Sequence, residues 1–207
     1  MFDGKLQSSF ISSTMAELPY FEKQGRFNQL CLVHALNMLL GGNVLSKRNL
    51  DEACETLSPN GSLLSWNPHR SFVGLGNYDV NVAMYILEQQ HGLEVSFFDG
   101  RKTAQELMDS ITQPCNQETS KCDTNANAST TIIGLLVNVP GSLWMLPSIS
   151  RHWISYRPIG SSWWKLDSSK SYPIEILTDN LLSTIESHLS RGDYILIVQD
   201  KRTSGME

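Results

Sequence analysis

Four side chains in this chain have the chemistry to carry out acyl transfer on sulfur. Cys31 opens an apolar run, Cys31-Leu32-Val33-His34-Ala35-Leu36-Asn37-Met38-Leu39-Leu40, and Gln24 stands seven residues upstream of it. His152 and Asp167 lie far downstream. A thiolate can attack a carbonyl carbon, and an imidazole can take up and return a proton. A carboxylate can hold that imidazole in one tautomer, and an amide N–H2 can stabilise an oxyanion. Together they imply a cysteine hydrolase.

Each of these groups needs an element to position it. The run from 31 to 41 is apolar nearly all round, which predicts a helix inside a core, with Gly41-Gly42-Asn43 as its stop. If Asn28 is the N-cap, Cys31 falls in the first turn, where unpaired N–H groups and the helix dipole favour negative charge. The plainer alternative makes Cys31 a small buried core residue. Arg151 to Arg157 alternates like a strand, Ser162 to Asp167 follows, and Pro158-Ile159-Gly160-Ser161 separates them. A symmetric turn centred between Ile159 and Gly160 sets His152 directly opposite Asp167, with Cβ atoms about 5 Å apart. For the oxyanion donor, Gln24 has a rival in Gln29. Losing one such donor typically costs about 2.7–4 kcal/mol of transition-state stabilisation.

The remaining elements follow from periodicity and punctuation. Helices are expected at 47–57, at about 80–91 (capped by Asp79 or Asn77), at 103–112 and at 178–190. Strands are expected at 93–98, 131–138, 151–157, 162–167 and 193–199. Helices precede most strands, so the class is α+β with a largely antiparallel sheet. Residues 1–17 read as a flexible arm, 18–200 as one domain, 113–130 as a polar flexible insertion, and 201–207 as a tail.

Composition bounds the function. The chain has 207 residues, 41% apolar and 18% charged, with a net charge of −5 and no run of Lys or Arg, which argues against nucleic-acid binding. No apolar stretch has secretory or membrane-spanning length, so the expectation is an intracellular protein in the cytoplasm, with the nucleus also open to it. Cys31, Cys54, Cys115 and Cys122 are then thiols rather than disulfides. Cys31 and His34, spaced as half of a zinc site, lack a matching short pair elsewhere, so His34 reads as a satisfied core histidine. His69, His91 and His188 read as surface residues, and Cys54 as packing.

At this point the chain resembles the Josephin family of papain-like deubiquitinating proteases. The resemblance is carried by Glu22-Lys23-Gln24, Leu30 to Asn37, Gly76-Asn77-Tyr78-Asp79-Val80-Asn81-Val82, Arg151-His152-Trp153-Ile154, Trp164 to Ser168 and Asp193 to Val198. Gly76 to Asn81 is most similar to the short members built of little beyond the Josephin domain. The resemblance implies Cys31 as nucleophile, His152 as general base and then acid, Asp167 as the residue orienting it, and Gln24 as the oxyanion donor. It also implies a sheet with the cysteine helix packed against it, and a helical arm within 45–75 that borders a cleft for the ubiquitin tail. Ubiquitin or ubiquitinated proteins would be the partners, with no metal and no organic cofactor. The alternative is a ubiquitin-binding module with a weakened or inactive site. The seven-residue Gln24–Cys31 interval is two residues longer than the family pattern, so the intervening loop must bulge.

Overall fold

In a computed structural model, the structure describes residues 18–25, 29–59, 67–70, 78–112, 128–141 and 151–203. The arm at 1–17, Asn28, the turn at 60–61, most of the stretch 62–77 (Asn77 included), residues 113–127 with Cys115 and Cys122, and the last four tail residues lie outside it. Helix α1 (Cys31–Leu40) is followed by α2 (Lys47–Leu57) and α3 (Val80–Tyr85), the last continued by a π-helical stretch, Ile86–Gln90. Then come β1 (Glu94–Phe97), α4 (Ala104–Thr112), β2 (Ala128–Pro140), β3 (Arg151–Ile159), β4 (Ser162–Leu166), β5 (Ile174–Ile176), α5 (Thr178–Ser190) and β6 (Tyr194–Thr203). The strands form one sheet in the order β1-β6-β2-β3-β4-β5, with every pair antiparallel.

Alternation along the strands gives this sheet two apolar faces, and helices cover both. Val95, Leu136, Trp153, Leu196 and Val198 meet α1, α2 and α3 on one face. Leu135, Val137, Ile154, Tyr156, Ile195 and Ile197 meet α4 and α5 on the other. Eight of the ten residues of α1 are buried, as its all-round apolar pattern requires. Its start at Cys31 is the expected one, but its cap differs from expectation. Leu30 occupies the N-cap position without a side-chain cap, so Cys31 is the first helical residue. Gly41 ends it in a left-handed conformation, and Gly41 and Gly42 N–H groups both donate to the Asn37 carbonyl. Asp79 caps α3 through the Asn81 and Val82 N–H groups.

The β3–β4 hairpin pairs Ser155 with Leu166 and Ile159 with Ser162. The turn is therefore centred between Gly160 and Ser161, one position later than expected, and His152 does not sit directly opposite Asp167. The resulting displacement along the partner strand is two residues, which preserves the face each side chain points to.

Two histidines read as surface residues prove to be partnered. His188 is 3% exposed. Its Nδ1 lies 2.8 Å from Asp193 Oδ2 and its Nε2 lies 2.7 Å from the Tyr156 hydroxyl. Burial holds its pKa below the ordinary value. His69 Nδ1 lies 2.9 Å from Asp79 Oδ2, so the α3 cap also anchors residues 67–70. His91 is exposed, as expected. Cys54 is buried packing, its thiol pushed up to about 12 by that burial. Strand β5 was not expected from the sequence, and β2 and β6 extend further, pairing Ala128–Thr130 with Lys201–Thr203. No helix among the described residues is long and apolar enough to cross a membrane.

The β2–β6 ladder shifts register between Ile132 and Gly134, a β-bulge. A Cβ on Gly134 would lie 2.2 Å from the Tyr156 carbonyl oxygen and 2.7 Å from Leu39. Gly134→Ala should therefore lower the unfolding free energy by about 1–3 kcal/mol. Gly100→Ala, at a site open to solvent, should stay within about 0.5 kcal/mol. Chemical denaturation of both variants checks this, and an unchanged midpoint for Gly134→Ala would contradict the packing described.

Candidate active site

Helix α1 brings Cys31 to its N-terminal end, 4% exposed and unbridged. His152 is the second residue of β3, and Asp167 directly follows β4. The two strands are neighbours, so both residues emerge at the same end of the sheet. His152 Nε2 lies 2.8 Å from Asp167 Oδ1. The register differs from the one expected, but the pairing does not, because Asp167 sits beyond the last ladder pair on the matching face. With Nε2 committed to the carboxylate, Nδ1 is the ring nitrogen left for a second partner, and the proximity of Cys31 helps to raise the pKa of the ring.

The electrostatics follow from that geometry. Burial of His152 works against its protonation, but hydrogen bonds to Asp167 and Cys31 outweigh it and push the imidazole up to about 9. Burial of Asp167 would favour the neutral acid, yet its Oδ1 accepts from His152, from the Ser169 N–H at 2.9 Å and from the Ser169 hydroxyl at 2.7 Å. These bonds hold its carboxyl well below the usual carboxylate range. The raised imidazole and the lowered carboxyl together favour an imidazolium–carboxylate pair beside Cys31.

Gln24 lies in the segment that enters α1. Its backbone N–H donates to the Ser168 carbonyl at 2.8 Å, and its Oε1 accepts from the Ser168 hydroxyl at 3.3 Å. The N–H2 half of the amide is thus the half turned away from Ser168. Gln29, two residues before Cys31, is half-buried. Arg26, Phe27 and Asn28, the centre of the long Gln24–Cys31 loop, lie outside the described residues.

Sequence reasoning missed the groups that hold these side chains. Ser169 fixes Asp167 in an Asx-type turn, and Asp-x-Ser is the signal that could have revealed it. Ser168 fixes Gln24. His34, half-buried rather than deep in the core, pairs through Nδ1 with Glu22 Oε2. Trp153 Nε1 donates to the Tyr78 carbonyl at 3.1 Å, and the Tyr78 hydroxyl donates to Asp51 at 2.9 Å. This ties the residue after His152 to α2 and α3. Among the described residues, no cluster of three or more His, Cys, Asp or Glu is placed to hold a metal ion.

Comparison with known proteins agrees with this architecture. The family model described as Josephin matches residues 26–199, a span that contains Cys31, His152 and Asp167 but starts just after Gln24. A Josephin-like protein of Drosophila melanogaster is 35% identical over 191 residues, covering 89% of this chain and 75% of the relative. Human Josephin-2 is 35% identical over 158 residues, covering 74% of this chain and 70% of the relative. A Josephin-like protein of Arabidopsis thaliana is 30% identical over 167 residues, 74% of this chain and 39% of its own length. This chain belongs to the Josephin family and has its papain-like fold.

Proposed function

We propose that this protein is a thiol-dependent deubiquitinase that hydrolyses isopeptide or peptide bonds at the C-terminal glycine of ubiquitin. The observation that carries the reading is the imidazole of His152, bonded to Asp167 through Nε2 and raised in pKa by the neighbouring Cys31 as well as by that carboxylate. Family membership supplies the substrate class, and the sulfur at the start of a buried helix suits a nucleophile.

In this mechanism the Cys31 sulfur attacks the glycine carbonyl carbon. A C–S bond forms, and the carbonyl π electrons move to oxygen. The Gln24 amide and the Cys31 backbone N–H hold that oxyanion. As the tetrahedral intermediate collapses, the C–N bond breaks and His152 protonates the departing lysine amine. His152 then takes a proton from water, whose oxygen displaces Cys31 from the thioester and frees the ubiquitin carboxylate. Asp167 keeps Nδ1 aimed at sulfur and leaving group throughout.

Ubiquitin carrying a C-terminal electrophile should add its mass to the wild-type protein and not to folded Cys31→Ala. Absence of the adduct in folded wild type would overturn the reading in favour of a binding module or another acyl substrate. Against a ubiquitin-amide substrate, His152→Ala should lower kcat/KM by about 10²-fold or more. Asp167→Ala should cost less, and Asp167→Asn less again, because an amide oxygen can still accept from the ring.

The pH profile carries a separate expectation. The imidazolium pKa lies near 9, so kcat/KM should fall on an alkaline limb around that pH as His152 loses its proton. The Asp167 carboxylate stabilises the imidazolium, so removing it lowers that pKa. In Asp167→Ala the limb should move to lower pH, and a limb that stays in place would contradict the assigned role.

A further inference from the structure

The segment that carries Gln24 is fastened at two places by side chains outside the catalytic set. On the α1 side, Glu22 Oε1 accepts from the Tyr20 hydroxyl at 2.6 Å and from Asn37 Nδ2 at 3.0 Å, while Oε2 pairs with His34 Nδ1. His34 and Asn37 are three and six residues along the helix that Cys31 begins. Asn37 is itself rigid, since its Oδ1 accepts from the Val44 and Leu45 N–H groups. On the other side, Ser168 holds Gln24 through two hydrogen bonds next to Asp167, and Lys23 Nζ reaches Ser171 Oγ at 3.3 Å. Between these points Tyr20 and Phe21 pack on Met38, Trp164 and Leu166.

Covalent connection alone cannot place Gln24. Seven residues can span up to roughly 23–25 Å when extended, whereas a catalytic donor must be held to within about 0.5 Å. The apolar contacts of Tyr20 and Phe21 are non-directional and do not set the azimuth of a side chain two or more positions on. The hydrogen bonds of Glu22 do, because they fix a carboxylate plane against a rigid helix. That carboxylate is largely withdrawn from water, its side chain 15% exposed, a placement that is favourable only with donors in place.

We infer that Glu22, clasped by His34 and Asn37, is a positioning residue that registers Gln24 against the nucleophile helix and so sets the oxyanion donor relative to Cys31. This rests on the reading of Gln24 as that donor. Glu22 touches neither substrate nor sulfur in this role. It acts through Gln24, and its effect belongs to the oxyanion and not to the nucleophilicity of Cys31.

The test compares the full chain with Glu22→Ala, Glu22→Gln, His34→Ala, Gln24→Ala and the Glu22→Ala/Gln24→Ala pair. Hydrolysis of a fluorogenic ubiquitin C-terminal amide reads oxyanion-dependent chemistry. Alkylation of Cys31 by iodoacetamide reads a displacement at carbon, in which iodide leaves and no oxyanion forms. Gln24→Ala should lower kcat about 10²-fold. Glu22→Ala should lower kcat about 10-fold or more with KM little changed, since displacing a positioned group costs rate steeply. The double variant should be no slower than Gln24→Ala to within about twofold, the non-additivity expected of two residues acting as one unit. Glu22→Gln should restore kcat to within about threefold of wild type, because its oxygen can accept from Tyr20 and Asn37 while its N–H2 can donate to the His34 ring nitrogen when that nitrogen accepts. Alkylation rates should match wild type to within about twofold in all of them.

Wild-type kcat in folded Glu22→Ala overturns the inference, as does multiplicative loss in the double variant or alkylation that slows in parallel with hydrolysis. If Glu22→Ala does not fold, His34→Ala decides, and wild-type kcat in that variant overturns it equally. Wild-type kcat in Gln24→Ala overturns the donor assignment beneath it, and the inference with it. A loss in Gln24→Ala with none in Glu22→Ala or His34→Ala overturns the inference alone.

Discussion

Burial of α1 is the constraint on which the rest of this structure depends. A ten-residue helix with eight residues buried cannot sit at a surface, so the sheet, α2 and α3 must close around it. Its polar exceptions are then forced to find partners. Asn37 spends its amide on the turn after the helix and on Glu22, and His34 spends its ring on Glu22. Cys31 is the first helical residue, at the one place where a buried helix still offers unpaired N–H groups. A core that large also fixes the helix rigidly against β3. The sulfur and the imidazole of His152 therefore approach each other on two elements that cannot drift apart.

The second determinant is the sheet pleat. His152 and Asp167 meet because both belong to the same parity of a hairpin, and parity survives an error of two residues in register. This is why a turn centred one position too early still led to the right pair of side chains. A register displaced by one residue would have put the carboxylate on the opposite face. What the sequence could not show is that Asp167 lies past the end of β4, where Ser169 rather than a cross-strand neighbour supplies its remaining donors. The low pKa of that carboxyl is a property of the turn as much as of the pair.

Much of the fold was legible wherever one short stretch held the whole signal. Helix α5 reads from Thr178 to Ser190 on apolar spacing alone, and α3 reads from the Asp79 cap. Legibility failed where partners were distant or elements were short. His188 looked like a surface histidine because Tyr156 lies on a strand 32 residues away and Asp193 lies across the turn at Gly192. Strand β5 has three residues after a proline, with two of them exposed, too few to show alternation. The start of α1 at Cys31 was legible, but its cap was not: Asn28 has the side chain of a cap, whereas Leu30 holds that position with no side-chain cap at all.

The segment at 20–25 shows how the site divides between what the fold supplies and what local chemistry must add. The family match begins at residue 26, and the candidate site residues after it, Cys31, His152 and Asp167, are carried by α1, β3 and the residue that follows β4. Gln24 lies before that boundary and on no helix or strand. Secondary structure therefore cannot orient it, and a longer connection to Cys31 makes the backbone a weaker guide still. The side-chain bonds at Glu22 and Ser168 occupy the place that an element occupies elsewhere in the site. They are discrete, directional and directed at both sides of the candidate site: Glu22 at the helix that Cys31 begins, Ser168 at the turn that holds Asp167. An extended strap fixed in this way can hold a donor between a helix and a sheet end that approach the same point from different directions. The ladder has used its N–H groups and the helix leaves free only those of its first turn, so any further donor at that point must come from a side chain.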